Sequence, residues 1–311
     1  MLDDTLLSEI AAGDVFYKVF GLKRLRQISV IGMGLLGASV TLTILRSLFG
    51  VKTVGYSHRP STRRKARQLG VAEQIVDDMT RCVTEADIVI LATPICTFEG
   101  IFRDIHDALK AGCIVTDVGS TKVLPHRWAE KLLPKNVHYV GSHPIAGSEK
   151  RGVEFARDDL FYGARCILTR KETTNVAALK TLRKFWAQLG CRVDVMSPAE
   201  HDRIFGRVSH LPHITAAALI NASDPEQLKY AGRGFMDTSR VASGPENVWS
   251  DILITNPNNT AKGIDRIIAE LRKLRKAIKG KDQKQIENLL GRARAKRAAL
   301  IRYKMRKKEL L

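Results

Sequence analysis

The run Gly141-Ser142-His143-Pro144-Ile145-Ala146-Gly147-Ser148-Glu149-Lys150 sets one imidazole beside a proline and among glycines, where the backbone is either fixed or closely approachable. A neutral histidine accepts a proton near physiological pH, so His143 is the candidate general base. The plainer alternative is a surface turn whose histidine only caps a loop. Upstream, Gly32-Met33-Gly34-Leu35-Leu36-Gly37 follows a β-rich run, Ile28-Ser29-Val30-Ile31, and precedes an apolar helical stretch to about Leu48. In that context G-x-G-x-x-G reads as a dinucleotide site. Gly32 permits the tight turn, Gly34 admits the pyrophosphate and Gly37 lets helix and strand pack, with Leu35 and Leu36 completing the phosphate-facing loop. The alternative is a flavodoxin-like sheet with an unused glycine turn.

About 20 residues further on, an NAD site usually offers a carboxylate to the adenosine ribose. Here the chain reads Tyr56-Ser57-His58-Arg59-Pro60-Ser61-Thr62-Arg63-Arg64, with no acid. Ser57, with His58 beside it, can instead hydrogen-bond a ribose phosphate, and Arg59, Arg63 and Arg64 can neutralise one, which favours NADP over NAD; the alternative is arginines that only decorate an exposed helix start. Thr93-Pro94, Gly119-Ser120-Thr121-Lys122 and Ser142-His143 each fall at the carboxyl end of an expected strand, where open α/β sheets bind ligands. Three strand ends therefore converge on the nicotinamide.

These residues need a frame. Strands at 28–31, 53–56, 88–92 and 113–117 alternate with helices near 61–69 and 98–109, which predicts right-handed βαβ units and a doubly wound parallel sheet of the Rossmann type. His138-Tyr139-Val140 and Arg165-Cys166-Ile167-Leu168 are expected to add strands. Ser197-Pro198 reads as a helix cap with Pro in the first turn, and the pattern is helical afterwards, broken by loops at 231–245 and 255–259. The expected organisation is an N-terminal extension (1–25), a dinucleotide-binding domain (26–196) and an all-helical domain (197–311).

In the helical half, His210 and His213 form an H-x-x-H pair, with His201 nearby, but no third ligand has persuasive spacing for a metal. A substrate-facing or packing role fits better. Gly232-Arg233-Gly234-Phe235-Met236-Asp237-Thr238-Ser239-Arg240 is a glycine-loosened loop whose last arginine suits a carboxylate. The alternative is a structural ion pair of Arg240 with Asp237 or Asp251.

The chain has 311 residues and a formal charge of +19. From Ala261 to Leu311 it carries 18 Lys and Arg against five Asp and Glu, with apolar residues at helical spacing, so a solvated basic helix is expected and a nucleic-acid partner is not. No apolar run is long enough for a membrane span, no secretory signal is apparent, and five scattered cysteines suit reduced thiols in the cytoplasm.

The motifs together resemble prephenate dehydrogenase and its relatives, arogenate and cyclohexadienyl dehydrogenase. They are G-x-G-x-x-G at Gly32, V-G-S-T-K at Val118, S-H-P-I-A-G-S-E-K at Ser142, S-H-L-P-H at Ser209, and G-F-x-D-T-S-R ending at Arg240, followed by Trp249. Arg233, Gly244-Pro245 and Ser250 depart from the family pattern, all around the substrate loop. The resemblance implies oxidative decarboxylation of a small cyclohexadienol substrate, prephenate or arogenate, with hydride passing to NADP or NAD. It implies His143 as base, Ser120 orienting that imidazole and the nicotinamide, and Arg240 on the ring carboxylate. Glu149, Lys150 and His210 match positions lining or gating the pocket, and the helical half implies a homodimer. Two other readings are a two-domain hydroxy-acid or imine dehydrogenase, and a basic nucleotide-binding regulatory module without turnover.

Overall fold

The computed structural model describes residues 25–307 except Phe49, Ser148 and Glu149; the expected N-terminal extension falls almost wholly outside them, as does Glu149. Six parallel strands form the main sheet: β1 (Gln27–Ile31), β2 (Lys52–Tyr56), β3 (Gln74–Ile75), β4 (Ile88–Leu91), β5 (Ile114–Asp117) and β6 (His138–Tyr139), in the order β3-β2-β1-β4-β5-β6. This is the doubly wound order expected from the alternation of strands and helices. β1, β4 and β5 are buried along their whole length: β4 is wholly apolar, Ser29 in β1 donates its hydroxyl to the carbonyl of Cys82 at 2.5 Å, and β5 ends in the buried Asp117.

The strands expected after β6 do not extend that sheet. β7 (Gly141–Ile145), β8 (Arg165–Thr169) and β9 (Arg192–Met196) form a separate three-stranded sheet, with β7 antiparallel to β8 and β8 parallel to β9. His143 thus lies within a strand, opposite Ile167, and not in the loop its glycine and proline neighbours suggested. The helix Val176–Gln188 joins β8 to β9 and buries Leu182, Phe185 and Trp186 completely.

Strands end at Met196. Ser197 caps the next helix, its Oγ accepting from the N–H of Glu200 at 3.1 Å, and Pro198 occupies the first turn as expected. Pro198–Phe205 runs into a π-helical turn, Gly206–His210, and on into Leu211–Asn221. Pro212 explains the widened turn: it has no N–H for the carbonyl of Val208, and its ring would crowd that carbonyl. The loop expected at 231–245 holds a short helix, Arg233–Ser239, and a 3-10 turn, Arg240–Ser243.

Contacts group the chain into two compact units, one ending at Asn256 and one beginning at Pro257. The second consists of helices Pro257–Lys279 and Gln283–Arg306, joined at Lys281, whose φ is +51°, and Asp282, whose carboxylate caps the N–H of Gln285 at 2.9 Å. Among the described residues no helix is long and apolar enough to cross a membrane.

Candidate active site

β1 and β4 are neighbours in the sheet although two strands, β2 and β3, lie between them in sequence, so their carboxyl ends open the crevice in which such sheets hold ligands. The glycine turn fills that end. A Cβ on Gly32, whose φ is +107°, would sit 2.4 Å from the carbonyl oxygen of Ala92, and one on Gly37 would sit 1.8 Å from the carbonyl oxygen of Gly32. Gly34, by contrast, faces open space. The helix Leu35–Ser47 begins there with no side-chain cap and no acid in its first turn, so its first N–H groups and the positive end of its dipole are left for an anion. These features fit the pyrophosphate of a dinucleotide. Thr93 borders the crevice, its Oγ1 2.8 Å from that of Thr97 and its methyl carbon near Gly32, and Pro94 is exposed beside it.

The presumed phosphate cluster after β2 is only partly available. Arg63 donates to the carbonyls of Ser57 (2.6 Å) and His58 (3.1 Å) and to Asp77 (2.6 Å). It therefore braces the loop instead of reaching out of it, which corrects its expected role. Asp77, from the segment after β3, also accepts from Arg67 at 2.7 Å, and hydrogen bonds from Arg67 and Arg63 hold its carboxyl below the usual range. His58 and Arg59 are exposed, and Ser57 is buried.

Asp117 ends β5 and organises everything beyond it. Its carboxylate accepts from the fully buried ammonium of Lys122 at 2.5 Å, the hydroxyl of Tyr139 at 2.8 Å, and the N–H groups of Gly119 at 2.9 Å and Ser142 at 3.2 Å. Lys122 also donates to the carbonyl of Gly119 at 2.7 Å. The Ser142 hydroxyl lies 2.6 Å from that of Thr116 and accepts from the Trp186 indole at 3.0 Å. One buried ion pair therefore ties the Gly119–Lys122 loop, which carries Ser120, to the strand that carries His143.

The His143 ring is held by a different residue from the one expected. Its Nδ1 lies 2.8 Å from Nε2 of His201, whose Nδ1 lies 2.8 Å from Oδ1 of Asp202. Asp202 in turn accepts from the N–H groups of Lys122 (2.8 Å) and Val123 (2.9 Å) at the start of the helix Val123–Leu132. Phe205 stacks on the His201 ring at 4.5 Å and meets the His143 ring at 4.8 Å. Ser120 is half-buried on the loop before the helix Val123–Leu132, and the hydrogen-bond partner of the His143 Nδ1 is His201, not Ser120. Burial, then the neighbouring His201, Lys122 and His210, drive the His143 pKa well below its ordinary value, so the ring is neutral at physiological pH. Burial lowers His201 to about 2.

His210, in the π-helical turn, is fully buried, not pocket-facing. Its Nδ1 lies 3.3 Å from the Asn256 amide, which donates at 2.7 Å to the carbonyl of Asp202, while its Nε2 makes no hydrogen bond of regular geometry. Burial outweighs Asp202 and the Ser120 carbonyl and brings His210 to about 4. His213 stacks on Trp249 with ring centroids 3.6 Å apart. Helix Glu246–Thr255 is pinned beside the sheet's carboxyl edge, where Asp251 accepts from the N–H of Cys96 at 3.2 Å and the hydroxyls of Thr255 and Thr121 lie 2.9 Å apart. Arg240 is exposed at the head of the 3-10 turn; the neighbouring Asp237 pairs with Arg233 at 3.9 Å. Lys150 is exposed, its ammonium 5.3 Å from the centre of the Phe155 ring.

Sequence reasoning does not find Asp117 or Asp202, and it assigns His201 a substrate-facing or packing role where the structure gives it the Nδ1 of His143. Each also acts on a group far along the chain, Asp117 on Ser142 (25 residues away), His201 on His143 (58) and Asp202 on Lys122 (80), which no local spacing signals.

Residues 40–195 match the family described as prephenate dehydrogenase, nucleotide-binding domain, and residues 197–292 match prephenate dehydrogenase, dimerization domain. The chain belongs to the prephenate dehydrogenase family. It is 34% identical to prephenate dehydrogenase of Bacillus subtilis (strain 168), over 83% of this chain and 71% of that protein. With cyclohexadienyl dehydrogenase of Zymomonas mobilis it shares 32% identity over 83% of this chain and 90% of the other. The crystal structure of prephenate dehydrogenase from A. aeolicus in complex with hydroxyphenyl propionate and NAD+ superposes with a TM-score of 0.83 at 34% identity, covering 89% of this chain and 99% of that one. As a family member the chain is a dehydrogenase that uses a nicotinamide dinucleotide.

Proposed function

We propose that this prephenate-family dehydrogenase oxidatively decarboxylates a cyclohexadienol bearing a ring carboxylate, prephenate or arogenate, to the corresponding phenol, using NADP, as a homodimer in the cytoplasm. The observation that carries the reading is a neutral imidazole fixed through its Nδ1, on the strand that follows the carboxyl edge of a dinucleotide-type sheet. The nicotinamide, when bound, supplies the acceptor for the hydride that leaves the carbinol carbon. His143 takes the hydroxyl proton as that carbon becomes carbonyl-like. The carboxylate is lost as carbon dioxide from the opposite ring carbon, and its bonding electrons enter the ring, which becomes aromatic. Arg240 is assigned to that carboxylate, Ser120 to the substrate hydroxyl and cofactor side of His143, and His210 to support behind Ser120. The uncapped helix at Gly34, with Leu35 and Leu36, would hold the pyrophosphate.

What favours NADP is that no acid stands in the run 56–64 at the end of β2 and beyond it, that Asp77, which pairs with Arg63 of that run, also pairs with Arg67, and that Arg59 is exposed. Arg59→Ala is expected to raise the KM for NADP and leave that for NAD unchanged, and a wild-type preference for NAD would overturn the assignment. The reaction is tested by absorbance at 340 nm with prephenate and arogenate in parallel. His143→Asn should lose about 100- to 10,000-fold in kcat while still binding cofactor; near wild-type turnover would remove His143 from the chemistry.

A further inference from the structure

We infer that His201 and Asp202 are positioning residues that set the tautomer of His143, forcing its one proton onto Nδ1 and leaving Nε2 as a bare lone pair for the substrate hydroxyl. This rests on the assignment of His143 as the base. The argument is a count of donors and acceptors. Burial raises the Asp202 carboxyl, but the backbone N–H groups of Val123 and Lys122 oppose that, each donating to one of its two oxygens at a helix N-terminus where the dipole favours negative charge, and a carboxylate so held only accepts. His201 Nδ1, 2.8 Å from Oδ1, must therefore carry a proton. The buried His201 ring is neutral and has one N–H, so its Nε2 is an acceptor. The atom facing it at 2.8 Å, Nδ1 of His143, must then be the donor. A neutral His143 has no second proton to place on Nε2.

The alternative tautomer would set two lone pairs, or two N–H groups, against each other within this chain. Phe205 packs against both rings and holds their planes, so neither imidazole escapes the constraint by turning. Lys122, His210 and His126 are the other charged or titratable groups acting on this chain of rings, and all three disfavour a proton on His201 beyond its one N–H. The relay is also built into the fold. His201 and Asp202 sit on the first helix after the sheets, and Asp202 caps the helix that follows the Ser120 loop, so the base and its surroundings are set by one carboxylate.

The decisive measurement is made on the unaltered chain, with histidine side chains labelled in 15N and His143 assigned by its loss in His143→Asn. At neutral pH the expected result is a pyrrole-type shift at Nδ1 of His143 and a pyridine-type shift at Nε2; the reverse pattern overturns the inference. Kinetics supply the second arm. His201→Phe, which can accept nothing, should lower kcat about 10- to 100-fold, as removal of an orienting partner does, with both KM values unchanged. His201→Gln presents an amide oxygen to Nδ1 and should recover most of that loss. Folded His201→Phe protein with wild-type kcat, or equal losses in the two variants, also overturns it. If His143→Asn itself stays active, the functional reading falls instead; if it is inactive while Nε2 carries the proton, only the relay does.

Discussion

Four histidines are packed neutral into one region, and that makes the fold acid-sensitive by an amount the structure sets. Burial lowers His126 to about 3, His201 to about 2 and His210 to about 4, and holds His143 well below its ordinary value. In the unfolded chain each takes up a proton near pH 6.5. The unfolded state thus binds more protons than the native one between those values, so stability is full above about pH 6.5 and falls as pH drops. Going from pH 7.5 to 5.0 costs about 2 kcal/mol for each of His126, His201 and His210, or about 6 kcal/mol for the three, and His143 acts in the same direction. That is comparable with the whole stability of an ordinary domain, about 5 to 15 kcal/mol. Urea unfolding followed by tryptophan fluorescence, which reports the buried Trp186, should give a stability that near pH 5 changes by about 4 kcal/mol per pH unit or more. A slope of about one proton's worth or less, near 1.4 kcal/mol per unit, would mean that these rings are not held neutral and would refute the reasoning.

Two further outcomes follow from the same packing. Lys122→Met leaves the fully buried Asp117 carboxylate without its cation, and should destabilise the protein by about 3 to 5 kcal/mol in urea unfolding. Gly244→Ala would put a Cβ 2.3 Å from Nε1 of Trp249 and 3.0 Å from Cε1 of His213, displacing the turn that carries Arg240; a cost of about 1 to 3 kcal/mol is expected, with a raised KM for substrate and an unchanged KM for cofactor.

The four long strands through β5, the glycine turn and the change to all-helical structure at Ser197 were legible from the sequence, because they rest on local periodicity and on cap chemistry, whereas the two-residue β3 and the one-turn helix Met79–Val83 are too short to show a period. His143 stood out for the same reason: glycine and proline mark backbone that is closely approached. What its ring touches was not legible. The split into two sheets depends on where the chain leaves β6, and a strand's sequence does not say which edge it will pair with. Arg63 reads as a phosphate ligand until the fold delivers Asp77 to it, and the partner that the family resemblance implies for His143, Ser120, gives way to His201 once the fold brings that ring to its Nδ1. Residue types and local geometry are properties of neighbouring residues along the chain; the protonation state of a buried imidazole depends on its distance from groups that only the folded core brings together.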